Sequence, residues 1–243
     1  MNIRLDIEYK GTDFAGWQYQ PGLPTIQGEI EQAIKKTTGK DVAVIGAGRT
    51  DAGVHALHQF ANFKIEHSLP PEKYKNALNY YLPRTILIKD AAVVDDSFHA
   101  RRSARWRHYR YLIDTAKSAL HFEYRWEIAH ELVLSRLNET ASKILGEHDF
   151  SAFCTVASQK EENSCQIMQA GWQNDGSLFI FDVVANRFLH SMVRSLVGLM
   201  VETAKPNDCL TLKEFGDIMT SGDHTRIKHV APARGLYLAD VGY

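Results

Sequence analysis

Cysteine is scarce in this chain of 243 residues: there are three, Cys154, Cys165 and Cys209, and no CxxC pair. That excludes a disulfide framework and a cysteine-rich zinc site, and it fits a reducing cytoplasm. Long apolar runs are missing too. The most apolar later stretch, Phe188 to Val201, is interrupted by His190 and Arg194, too broken for a membrane span. The first residues, Met1-Asn2-Ile3-Arg4-Leu5-Asp6, alternate apolar and polar and hold no apolar h-region, so they do not read as a signal peptide. Nor is there an excess of one charge: 28 Lys+Arg against 29 Asp+Glu leave a formal net charge of -1. A nucleic-acid binder of this composition must carry its basic surface locally. At 44% apolar and 23% charged the chain is ordinary for a folded, soluble protein, which argues against wholesale disorder.

What is present reads as alternating strands and helices. Ile3, Leu5, Ile7 and Tyr9 alternate with polar residues as a half-buried strand does. Thr25 is placed to cap a helix with the stripe Ile26, Ile30, Ala33, Ile34, ending at Gly39. Val42–Ile45 and Phe60–Ile65 read as strands, Pro71 opens a helix through Tyr81, and Ile86–Val94 returns as strand. A second series follows: strand Trp106–Ile113, a helix over Leu134–Leu145 stopping at Gly146, and strands Ile167–Trp172 and Leu178–Val184 about an Asp-Gly turn. A long helix is expected from about Arg187, then a helix opened by the capping box Thr211-x-x-Glu214, then a strand at Leu236–Ala239. Two successive β-α-β-β-α-β orders predict an α+β protein with two ferredoxin-like halves and mainly antiparallel sheets. The expected domains are 1–100 and 101–243, with the boundary near the arginine-rich run after Asp95-Asp96-Ser97.

Such an architecture hosts many activities, so chemistry must come from particular residues. Gly46-Ala47-Gly48-Arg49-Thr50-Asp51-Ala52-Gly53-Val54-His55 lies between two strands and projects an arginine and a carboxylate from one small-residue loop. A plain glycine-rich connection, with Asp51 capping a turn, is the bland alternative. A phosphate cradle is disfavoured, because the glycine spacing matches neither GxGxxG nor GxxxxGK[ST]. A metal site on Asp51, His55 and His58 at helical i, i+4, i+7 spacing is a further alternative, weakened by Gly53. Arg101, Arg102, Arg105, Arg107 and Arg110 crowd into one segment with Trp106, His108, Tyr109 and Tyr111 interleaved, a surface suited to phosphates and unstacked bases. Its alternative is a solvated strand edge guarded by charge. His190 and Arg194, four apart, are expected together on the helix from Arg187, with Arg194 either reaching solvent or paired with a carboxylate.

Gly48-Arg49-Thr50-Asp51-Ala52-Gly53-Val54-His55-Ala56 resembles the active-site motif of TruA-type tRNA pseudouridine synthases. Further blocks of the chain are similar to that family in the same order. They are Tyr9 to Gln20 with Thr25-Ile26-Gln27-Gly28-Glu29, Phe98-His99-Ala100-Arg101 with Tyr109-Arg110-Tyr111, Asn186 to Arg194, and Pro232 to Leu238. The resemblance implies a cytoplasmic homodimer, without cofactor or metal, that isomerises uridines at positions 38–40 in the anticodon arm of tRNA. It implies a basic RNA-binding cleft flanked by the two halves. Carried over residue by residue, Asp51 is the catalytic aspartate, Tyr109 the active-site tyrosine and Arg194 the arginine that salt-bridges the aspartate. Arg49 is associated with displacing the target base, and Leu236 lies in the motif lining the pocket. Arg101, Arg105, Arg107, Arg110 and His190 are the expected remaining RNA contacts.

The chain departs from the family pattern at Cys165 and His224, where arginines are common, at His58, where glycine is common, and at Ile227-Lys228. None is a catalytic position, but fewer arginines weaken phosphate anchoring. Two rivals remain on sequence grounds: a catalytically silent RNA-binding protein with two RRM-like halves, which leaves Asp51 without a task, and a metal-dependent hydrolase on Asp51, His55 and His58.

Overall fold

The structure is a computed structural model that describes residues 1–66, 69–154, 163–206 and 210–243. In chain order the described elements begin with β1 (Asn2–Tyr9), α1 (Ile26–Thr38), β2 (Ile45–Gly46), β3 (His55–Lys64), α2 (Pro71–Tyr81) and β4 (Ile86–Val94). Next come β5 (Trp106–Asp114), β6 (Trp126–Glu127), α3 (Leu134–Lys143), β7 (Gly146–Asp149), β8 (Ser164–Asp175) and β9 (Leu178–Ala185). The last are α4 (Met192–Thr203), α5 (Leu212–Ser221) and β10 (Leu236–Gly242). The protein is thus mixed α/β, with both antiparallel and parallel strand pairs. Two compact units divide it: residues 1–105 with 237–243, and residues 106–236. The last strand therefore counts with the first unit, whereas chain order alone places it in a continuous 101–243. The reason is non-local: β10 runs parallel to β3, with Tyr237 opposite His55 and Leu238 opposite Ala56.

In the first unit β4, β1 and β3 pair antiparallel in that order, and β2 pairs antiparallel with β3. The alternation in β1 puts Ile3, Leu5 and Ile7 wholly inside, together with Ile30 and Ile34 of α1, Phe63 of β3, and Tyr74 and Leu78 of α2. Burying each such aliphatic side chain contributes roughly 1.5–3 kcal/mol. Thr25 caps α1 through its side chain to the Gly28 amide, and Gly39 closes it at φ 72. Phe60–Ile65 proves to be the second half of a longer strand that starts at His55. The expected strand Val42–Ile45 shrinks to Ile45–Gly46, because the Val44 amide donates to the Glu31 carboxylate (2.9 Å) instead of to a ladder.

In the second unit β5, β9, β8 and β7 pair antiparallel in that order, and β6 lies parallel beside β5. The hairpin between β8 and β9 turns on Gly176 and Ser177, with Gly176 at φ 58. Thr211 and Glu214 form the expected capping box of α5. The helix expected from about Arg187 begins five residues later, at Met192. Ser191 sits in the left-handed region at φ 58 and breaks the helix there, although the apolar spacing runs through it. Once begun, α4 is buried on nearly every side. Gly198 is required there: a Cβ would land on the His229 carbonyl oxygen, so the backbone of 229–231 can lie directly against the helix.

Each unit also contains one asparagine that grips a strand by both backbone groups. Asn79 of α2 accepts from the Ile88 amide (2.8 Å) and donates to the Ile88 carbonyl (2.9 Å). Asn138 of α3 does the same to Trp172 of β8, at 2.8 and 3.0 Å.

Candidate active site

The loop carrying Arg49 and Asp51 joins β2 to β3 within the first unit. Its backbone is fixed at several points. The Ala47 amide donates to the Phe60 carbonyl (2.7 Å), and the Gln59 side chain donates to the Gly48 carbonyl (2.8 Å). The Val54 amide returns to the Asp51 carbonyl (3.2 Å), closing a turn in which Gly53 takes φ 78. Arg49 is exposed, Asp51 half-buried, and Thr50 between them buried at 7%. The loop thus presents its cation and its carboxylate outward while its middle residue points in.

Residues 10–19 brace this loop from the other side. The Trp17 amide donates to the Thr50 carbonyl (3.0 Å), and the Gly11 amide donates to His55 Nδ1 (3.1 Å). Two orphan amides at the start of α1, of Ile26 and Gln27, donate to the Gly16 and Trp17 carbonyls (3.2 and 2.9 Å). The approach is so close that side chains are excluded. A Cβ on Gly16, which stands at φ 103, would lie 2.7 Å from the Thr50 carbonyl, and one on Gly11 would land on the Val54 carbonyl oxygen. Tyr9 is buried at 3%, its hydroxyl 2.7 Å from Thr50 Oγ1. Burial pushes the Tyr9 phenol well above its usual pKa, so it stays neutral. The sequence shows Gly11 and Gly16 as loop punctuation and Tyr9 as one beat of an alternating strand; nothing local marks them as supports of Asp51.

In the second unit Tyr109 lies on β5 opposite Val183, buried at 8%, with the Phe188 ring edge-on at 5.0 Å. Arg194 is on the first turns of α4, half-buried, and its Nε donates to the Ala231 carbonyl (2.8 Å). The Ala231 amide returns to the Arg194 carbonyl (3.1 Å), so this guanidinium is anchored rather than loose in solvent. Its field and that of Arg234 reach Tyr111, whose phenol burial nevertheless drives far above its usual range. Leu236, buried at 6%, follows Gly235, where a Cβ would sit 2.7 Å from the Tyr111 ring. His190 does not share the helix of Arg194: it is exposed in the turn ahead of Met192.

The arginine-rich segment is not one surface. Arg101 and Arg105 are exposed before β5. Arg107 and Arg110 fall on opposite faces of β5, and each has a protein partner. Arg107 donates to the Asn186 carbonyl (2.8 Å), while Arg110 holds Asp182 with two bonds of 2.9 and 3.2 Å beside His108 (2.6 Å). Burial raises the Asp182 carboxyl, but the bonds from His108 and Arg110 outweigh it and hold the group below its usual range. A lowered carboxyl stabilises the fold above its unfolded pKa of about 3.9, and that contribution is lost as pH falls through the lower folded value. Asp182→Asn is therefore expected to flatten the acid limb of unfolding free energy against pH, measured by urea titration from about pH 5 downwards.

The metal alternative needs a helix across Asp51, His55 and His58. His55 and His58 instead lie on β3, where i and i+3 point to opposite faces. His55 is buried at 1% and stacks on Tyr237 at 4.8 Å; His58 bridges Asp6 (3.0 Å) and Lys89 (3.1 Å). Among the described residues no three His, Cys, Asp or Glu side chains are grouped to hold a metal ion. No described helix is long and apolar enough to cross a membrane.

A family model described as tRNA pseudouridine synthase matches residues 7–101 and 140–243, which include the whole Asp51 loop, its brace, Arg194 and Leu236. The chain belongs to the tRNA pseudouridine synthase family. The tRNA pseudouridine synthase A of Caldicellulosiruptor saccharolyticus is 42% identical over 248 residues, taking in 100% of this chain and 99% of the relative. The proteins of that name from Chlorobium phaeobacteroides and Brachyspira hyodysenteriae are 41% and 40% identical, over 100% and 97% of this chain and 93% and 96% of their own lengths. These full-length pseudouridine synthase relatives also span 102–139, the stretch with Arg105, Arg107, Tyr109 and Arg110 that the family model passes over. The departures from the family's motifs have structural settings. His58 makes the Asp6–Lys89 bridge, and Cys165 is buried on β8, its thiol pushed up to about 11 by burial. His224 opens a short 3-10 turn capped by Asp223.

Proposed function

We propose that this chain isomerises uridine to pseudouridine in the anticodon stem-loop of tRNA, at positions 38–40. Membership of the family makes it an enzyme of uridine isomerisation in tRNA. The observation that carries the proposal is the braced loop that holds Asp51 half-exposed between buried anchors.

The reaction breaks N1–C1′, turns the uracil, joins C5 to C1′, and exchanges the proton lost from C5 for one taken up at N1, so no atom is gained or lost. Asp51 is the group that manages the sugar–base bond, and Arg194 supplies the guanidinium that pairs with its carboxylate. Tyr109 stacks on the base and relays the C5 proton. Arg49, on the exposed shoulder of the loop, fills the gap left when the base leaves its stack, an extrusion costing a few kcal/mol. Leu236 gives the base an apolar wall. Arg101, Arg105 and His190 meet phosphates, a role their exposure supports. Arg107 and Arg110 serve RNA less directly, since Asn186 and Asp182 already engage them. The two units act as ferredoxin-like halves; the order β4, β1, β3 with β2 beside β3, and α1 and α2 in the connections, supports this for the first. The enzyme works without cofactor, as a homodimer, in the cytoplasm where tRNA is found.

The test follows tritium released from 5-labelled uridine in unmodified tRNA. Release in proportion to enzyme, mapped to positions 38–40, is expected; no release, or release from other positions alone, overturns the reading. Affinity for tRNA should also fall steeply, by about 10-fold or more, between roughly 50 and 200 mM salt, the behaviour of a few phosphate contacts, despite the neutral net charge. A flat salt profile in filter binding contradicts phosphate anchoring by these exposed residues.

A further inference from the structure

We infer that Tyr9 is a positioning residue for the isomerisation, acting through Thr50 on Asp51. The inference rests on Asp51 being the catalytic carboxylate. Three observations carry it. The Tyr9 hydroxyl lies 2.7 Å from Thr50 Oγ1, inside the unit. Thr50 is the one residue of the Arg49-Thr50-Asp51 run that points inward, and its carbonyl is held by the Trp17 amide (3.0 Å). Tyr9 is rigid in its own right: it ends β1 opposite Ala56 of β3, and its ring leans on Trp17 at 6.1 Å between centroids. Thr50 is therefore clamped by its side chain from the sheet and by its backbone from the brace.

The chemical reason to hold Thr50 is its neighbour. Asp51 is half-exposed in a loop with two glycines, Gly48 and Gly53, and its direction depends on the backbone of the residue before it. A carboxylate displaced by about 1 Å from a reacting centre can lose about 10²-fold in rate. A hydroxyl pair buried between the end of β1 and the loop is costly to leave unpaired, so either oxygen that loses its partner shifts to find another. Neither oxygen meets substrate; both act through the loop.

The test combines Tyr9→Phe, Thr50→Val and Thr50→Ser in the full chain, with single-turnover rates on saturating tRNA, tRNA Kd and thermal unfolding. Tyr9→Phe and Thr50→Val are each expected to slow the chemical step roughly 10- to 100-fold with Kd unchanged. The double variant should be no slower than the worse single variant, because both remove the same bond. Thr50→Ser, which keeps the hydroxyl, should restore the rate. Wild-type turnover by Tyr9→Phe, a loss confined to Kd, or a Thr50→Ser enzyme as slow as Thr50→Val each overturns the inference. Should Tyr9→Phe fail to fold, the contrast of Thr50→Val with Thr50→Ser decides alone. An Asp51→Asn enzyme that still turns over defeats the underlying reading instead, whatever Tyr9→Phe does.

Discussion

Asp51→Asn is expected to abolish pseudouridine formation, by about 10³-fold or more, while tRNA binding stays within a few-fold of wild type. The substitution keeps the shape of the side chain and removes its charge. The loop should survive it, because the bond that closes the turn uses the Asp51 backbone carbonyl rather than the carboxylate. Thr50, Gly48 and Ala47 keep their anchors to Trp17, Gln59 and Phe60. Loss of rate with intact binding would mean that Asp51 is needed after the RNA has docked. Single-turnover conversion and filter binding on one preparation separate the two steps. Activity above a tenth of wild type would remove Asp51 from the chemistry, and a silent RNA-binding protein would show no change at all.

Gly11→Ala should damage both stability and turnover, although Gly11 lies forty residues from Asp51 in the chain. Its new methyl would land on the Val54 carbonyl, a backbone atom with no rotamer to yield. The relief must come from parting the brace from the turn Asp51–Val54, and from weakening the Gly11–His55 bond. Overpacking of this kind costs about 1–3 kcal/mol. Tm is expected to fall by several degrees and the rate to fall further than Tm explains at a temperature where the variant is folded. Gly22→Ala is the control for loss of stability without a clash. Unlike Gly11 it stands at positive φ, 77, but a Cβ there meets nothing within 4 Å. Its strain of about 1–2 kcal/mol should lower Tm and leave the rate alone. If both variants lose activity in step with stability, the close approach at Gly11 has no bearing on the site.

Most of the regular structure was legible where its signals are local. Thr25 and Gly39 bound α1, Pro71 opens α2, and Thr211 with Glu214 opens α5, because capping is decided within four residues. The misreadings have non-local causes. The apolar spacing of Leu189, Met192, Val193 and Leu196 continues across Ser191, and only a left-handed backbone that no pattern announces delays α4. The first half of β3, His55 to Gln59, lies outside the strands expected from the sequence, yet its residues pair with β1 and β10. In the site, the Asp51 motif stands out in sequence, since small residues around an arginine and a carboxylate are compositionally unusual. Its supports do not. Tyr9 meets Thr50 across 41 positions, and Arg107 and Arg110 meet Asn186 and Asp182 across more than 70.

The two asparagine grips bear on how the protein behaves when many copies are crowded together. Among the described residues β4 ends its sheet and β7 covers only the start of β8, so both strands offer backbone that a stranger could zip onto. At Ile88 and at Trp172 that docking slot is already taken, by an amide that offers the same donor and acceptor as a visiting peptide. A helix residue thus serves as a stopper against runaway sheet growth.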